Sequence, residues 1–147
     1  MSDGVLAARY VFEYSYSRSL GPVLARFLDG LREQRIEGIR RPNGTVLVPP
    51  TEYDPDTSES LTEFVEVGQT GTVTTWAWIA EPRPGNPLRG PFAWVLVRLD
   101  GADTAMLHAL DVKRIEDVKT GMRVRVKWAE QRTGSISDIE CFVPEES

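Results

Sequence analysis

Apolar side chains recur at helical spacing through Val23, Leu24, Phe27, Leu28 and Leu31, with Arg26, Asp29, Arg32 and Glu33 between them. This pattern predicts one amphipathic helix that starts near Ser17 or Ser19, carries Pro22 close to its first turn, and fades between Gly30 and Gly38. Such a helix either packs on its own domain or docks on a partner. The preceding stretch places Tyr10, Phe12, Tyr14 and Tyr16 on one face if extended, the form of an arm added to another surface.

Beyond the helix the period changes. Ile39 to Val67 reads as short strands, turns and Pro-rich loop, with Pro42-Asn43-Gly44 and Asp54-Pro55-Asp56 as its two turns. Thr70 to Ile79 is rich in β-branched and aromatic residues, and Phe92 to Leu99 is apolar apart from Arg98, as a strand buried on both faces would be. Ala105 to Leu110 is a short third run. Arg123 to Trp128 alternates, with Val124, Val126 and Trp128 inward and Arg123, Arg125 and Lys127 outward. Ser135 to Val143 closes the set. Five strands with a longer connection from Asp111 to Thr120 fit an OB-type barrel. The chain is therefore read as mainly β with an N-terminal helix: an arm and helix over 1–38, a ribbon over 39–67, and a five-stranded OB-fold over 68–147. The loop from Glu81 to Pro91 is Pro- and Gly-rich and is expected to project from the barrel.

Composition removes several kinds of chemistry. At 147 residues the chain has room for one core with an appended subdomain. Cys141 is the only cysteine, which excludes an intramolecular disulfide and reads as a small buried hydrophobe in a protein of a reducing compartment. No leader or membrane span is visible, so a cytoplasmic, soluble protein is expected. His108 is the only histidine and has no nucleophile elbow beside it; Asp103 and Asp111 read as solvated turn carboxylates. No phosphate-binding glycine loop is present. These absences predict a chain that is not an enzyme by itself. Single-stranded nucleic acid is the weaker alternative, suggested by Arg123, Arg125 and Lys127 together with Trp76, Trp78 and Trp94. A formal charge of −5 opposes it, because nucleic-acid affinity rests on cations that displace counterions.

The segment from Asn43 to Thr57 has the skeleton of a zinc ribbon without its cysteines. The four ligand places fall on Arg40, Asn43, Asp54 and Thr57, a set that cannot make a tetrahedral thiolate site. No zinc and no other cofactor is expected. This layout resembles the bacterial and archaeal family labelled domain of unknown function 35, zinc-ribbon OB-fold proteins associated with acyl-CoA. The matches are Val46-Leu47-Val48-Pro49-Pro50, Asp54-Pro55, Gly71 to Trp76, Pro91 to Gly101 and Gly121 to Val126, in the family's order.

The resemblance implies a non-catalytic partner of a thiolase-superfamily enzyme in a hetero-oligomer. Pro91-Phe92-Ala93-Trp94 and the cysteine-free ribbon are most similar to the steroid-associated branch, in which the enzyme is a sterol-carrier-type thiolase acting as a retro-aldolase on acyl-CoA thioesters. A free-standing acyl-CoA-binding module is the alternative. Aromatic anchors of the interface are then expected at Tyr14, Tyr16, Phe27 and Tyr53. CoA phosphates are expected at Arg83 and Arg89 on the loop, with Arg35, Arg40 or Arg41 nearer the ribbon.

Overall fold

A computed structural model describes residues 21–145, so Tyr14, Tyr16 and the capping serines Ser17 and Ser19 lie outside the described residues. Helix α1 (Pro22–Arg32) follows Gly21, which supplies no side-chain cap. The cap comes from afar: the backbone N–H groups of Val23 and Leu24 donate to the Glu52 carboxylate at 3.3 and 3.0 Å. A carboxylate at this end also suits the helix dipole.

Strands β1 (Glu37–Arg40), β2 (Val46–Leu47) and β3 (Glu63–Glu66) form an antiparallel sheet in the order β2-β1-β3. This small sheet is the ribbon. Strands β4 (Thr70–Ile79), β5 (Phe92–Leu99), β6 (Met106–Leu110), β7 (Arg123–Trp128) and β8 (Ile139–Pro144) close a barrel in the order β4-β5-β6-β8-β7. All neighbours are antiparallel except β6 and β8, which meet in parallel through Leu110 and Phe142. The fold is thus mainly β with one α-helix among the described residues, and its barrel is of the OB type.

Strand β5 shows why its sequence is almost wholly apolar. Ala93, Val95, Val97 and Leu99 face the barrel interior, whereas Phe92 and Trp94 point the other way into a second cluster with Ala109 and Cys141. Leu88 and Ile79 pack on that cluster. The loop between β4 and β5 therefore folds back at Leu88 instead of projecting throughout.

The main core runs without a break from helix to barrel. Phe27, Leu28, Leu31, Ile36, Val46 and Val48 share one cluster with Val73, Val95, Val97 and Val126. Phe27 is 1% exposed, which corrects its assignment as a partner anchor: the apolar face of α1 is covered by this chain's own core. The ribbon leans on the barrel. Val46 and Val48 donate their backbone N–H groups to Asp103 Oδ2 and Thr104 Oγ1, both at 2.8 Å. Asp103 is then more than a solvated turn carboxylate, since it fastens an edge of the ribbon sheet.

Candidate docking site and the ribbon clamp

The two ribbon turns are local in origin. Gly44, at φ +92°, closes the first with its N–H donating to Arg41 O, a conformation that glycine adopts without steric cost. In the second turn Ser58 N–H donates to Asp54 O, and the Asp54 side chain accepts from Asp56 N–H at 2.8 Å. What joins the turns is a guanidinium. Arg41 Nη2 donates to Asp54 Oδ1 at 3.1 Å and also to Asp56 Oδ2. The hydrogen bonds from Asp56 N–H and then from Arg41 hold the Asp54 carboxyl below its usual range.

Zinc does not fit here. The carboxylates that face the gap between the turns are engaged by Arg41, whose buried Nε presents a further N–H toward no acceptor among the described residues. A fixed cation carrying outward-pointing donors repels a metal ion. Among the described residues no group of three His, Cys, Asp or Glu side chains is placed to hold one.

Beside this clamp lies a groove of about 430 Å³, lined by Pro22, Val23 and Arg26 of α1 and by Tyr53, Leu61 and Phe64 of the ribbon. Its floor is apolar: Val23 is 6% and Leu61 4% exposed. Tyr53 stands at the rim with 60% of its surface in solvent, its backbone bridged to Ser60 and accepting from Thr51 Oγ1 at 2.8 Å. The Arg26 guanidinium lies 4.1 Å from the centroid of the Phe64 ring and donates to both oxygens of the buried Glu37 at 2.9 and 3.0 Å. That bidentate pair holds the Glu37 carboxyl below its ordinary value against the opposing effect of burial.

The arginines expected at CoA phosphates fall into two separated sets. Arg83 and Arg89 are exposed on the β4–β5 loop, at the Phe92 end of β5. Arg40 and Arg41 belong to the ribbon, which meets the barrel at the other end of β5, where Gly68 N–H donates to Asp100 O. Eight strand residues separate the ends, about 23 Å at the usual rise. Arg41, with its side chain only 13% exposed and bound to two carboxylates, is withdrawn as a phosphate contact. Arg40 bonds Glu63, its partner across β1 and β3, at 2.9 Å, and Arg35 lies 3.7 Å from Glu37.

The residues with reactive side chains are enclosed. His108 is 5% exposed, edge-on to Phe142, with Nδ1 accepting the Ala109 N–H. Burial pushes the Cys141 thiol up to about 11, far from the thiolate form at neutral pH.

The outward cations of β7 are largely compensated. Arg123 pairs with Asp100 at 2.6 Å and with Glu145 at 3.0 Å, and Lys127 pairs with Glu140 at 3.1 Å. Trp94 is buried edge-on against Phe92, and Trp76 and Trp78 are partly buried against the main core. The hydrogen bonds from Arg123 and then Thr70 hold the Asp100 carboxyl at about 2. Its folded value lies below the ordinary 3.8, so what the pair contributes is complete above that value and is lost only as pH falls through about 2. Both side chains are roughly half exposed, which keeps that contribution small. A carbon-detected NMR titration is expected to find the Asp100 midpoint near 2 and to see it rise toward 3.8 in Arg123→Met.

Residues 64–129 match the family model of the ChsH2 C-terminal OB-fold domain. A crystal structure of a protein of unknown function from the DUF35 family of Sulfolobus solfataricus superposes with a TM-score of 0.66 at 21% identity, covering 86% of this chain and 89% of that one. A chain of the structure described as the Ltp2-ChsH2(DUF35) aldolase superposes with a TM-score of 0.64 at 22% identity, covering 87% of this chain and 98% of that one. No curated protein matches by sequence. These likenesses uphold the resemblance to the domain-of-unknown-function-35 family and its OB-fold.

Proposed function

We propose that this chain is a non-catalytic accessory subunit that binds and stabilises a thiolase-superfamily enzyme, of the sterol-carrier type, acting as a retro-aldolase on steroid side-chain CoA thioesters. The observation that carries the reading is the match of residues 64–129 to the ChsH2 OB-fold domain, supported by the likeness in fold to a chain of the Ltp2-ChsH2(DUF35) aldolase. The site chemistry agrees with it. His108 and Cys141 are enclosed, and an open, largely apolar groove is rimmed by an exposed tyrosine, as in a protein contact. The enzyme then supplies nucleophile, base and oxyanion donors, while this subunit covers apolar surface of the enzyme and helps form the acyl-CoA site. Arg83 and Arg89, both exposed on the β4–β5 loop, are the cations this reading assigns to a CoA phosphate.

The test is co-purification of the tagged chain with the thiolase-like protein encoded nearest to it, followed by a retro-aldol assay with and without this subunit. A stable complex is expected, with little or no turnover by the enzyme alone. Equal turnover by the isolated enzyme overturns the reading. A monodisperse chain that captures no enzyme yet binds a CoA ester moves the free-standing acyl-CoA module ahead.

A further inference from the structure

The charge of this protein is unevenly placed. Between Gly21 and Val67 nine carboxylates face five arginines, whereas from Gly68 to Glu145 ten carboxylates balance ten cations. No lysine or arginine occurs from Pro42 to Pro82. The ribbon tip is therefore acidic by sequence, and the fold keeps it so: Arg40 and Arg41 compensate Glu63 and Asp56, but the exposed Glu59 and Glu66 have no cation partner among the described residues. These carboxylates flank the apolar groove, because Glu59 precedes the lining residue Ser60 and Glu66 follows Phe64 by two positions. Strand β3, which carries Phe64 and Glu66, is also the outer strand of its sheet.

We propose that this groove is the docking surface for the enzyme subunit, and that the enzyme meets it with a face rich in lysine and arginine that inserts one apolar side chain over Val23 and Leu61. The proposal rests on the accessory-subunit reading and adds the place and the chemistry of the contact. Two properties select this occupant. The apolar floor and Tyr53 call for an apolar insert, which a solvated cation cannot supply. The uncompensated carboxylates repel anionic lipid, nucleic acid and the phosphates of CoA, and attract a basic protein face. CoA therefore binds away from the ribbon tip.

The experiment measures binding of the full chain to the nearest encoded thiolase-like protein at low and moderate salt, for the natural sequence, Tyr53→Ala, and the double variant Glu59→Lys with Glu66→Lys. Arg125→Glu, on the exposed face of the barrel, serves as control. Circular dichroism checks that each variant is folded, which exposed positions permit. Tyr53→Ala is expected to raise Kd by roughly 10- to 100-fold. The double reversal is expected to slow association about tenfold and to flatten its salt dependence, with the control unchanged. If the complex forms and the Tyr53 and Glu variants bind as tightly as the natural chain, or if salt leaves binding unaffected, this docking surface is overturned and the accessory role stands. If the natural chain captures no enzyme, the accessory role itself falls, and the docking surface with it.

Discussion

Phe27→Ala is expected to destabilise the isolated chain by about 3–5 kcal/mol, measured by urea unfolding without any partner present. The ring is 1% exposed and sits where helix, ribbon and barrel share one cluster, among Leu28, Leu31, Ile36 and Val48. Its removal leaves a cavity in the cluster that all three parts share. The surroundings cannot collapse readily into the space, because α1 is capped by Glu52 of the ribbon and the ribbon is fastened to Asp103 and Thr104 of the barrel. Against a total of roughly 5–15 kcal/mol for a domain, such a loss removes a large part of the stability. An interface anchor would behave oppositely: the isolated chain would unfold at the same urea concentration and only the complex would weaken. That second outcome would restore Phe27 to the partner surface.

The same residue shows what the sequence can and cannot disclose. The stripe through Val23, Phe27 and Leu31 marks an apolar helical face, but the stripe alone does not say which surface covers it. Barrel strands are more legible. The alternation in β7 puts Val124 and Val126 inside, and the unbroken apolar run of β5 is explained by two separate clusters on its two faces. Contacts made across long sequence separations leave no local signature. The Glu52 cap lies 28 and 29 residues from the N–H groups it serves, and Asp103 reaches Val46 across 57. In the ribbon the register of the template misleads by one position. It places a ligand at Arg40, which pairs sideways with Glu63 across the sheet, whereas the side chain that crosses between the turns is that of Arg41. Neighbours at a strand end point to opposite faces, so a shift of one residue exchanges a surface pair for an internal clamp.

Arg41→Met is expected to lower the melting temperature more than any exposed substitution in the ribbon, and chelators are expected to leave the natural chain unchanged. The reason lies in what the side chain holds. Methionine keeps much of the length and apolar stem but removes the guanidinium that joins Asp54 and Asp56, leaving Asp54, 3% exposed, as a carboxylate without its cation. The pH dependence separates this clamp from ordinary packing. The folded value of the Asp54 carboxyl lies below its unfolded 3.8, so its contribution is fully present above that unfolded value and disappears as pH falls through the folded one. Melting temperatures measured from neutral to strongly acidic pH should therefore fall in the natural chain below about pH 4. In Arg41→Met they should start lower and fall less steeply, because part of what acid removes is already gone. Equal melting temperatures for the two proteins would show that strand pairing and the bonds to Asp103 and Thr104 suffice to hold the ribbon. A chelator-induced loss in the natural chain would instead mean that a metal, and not Arg41, joins the turns.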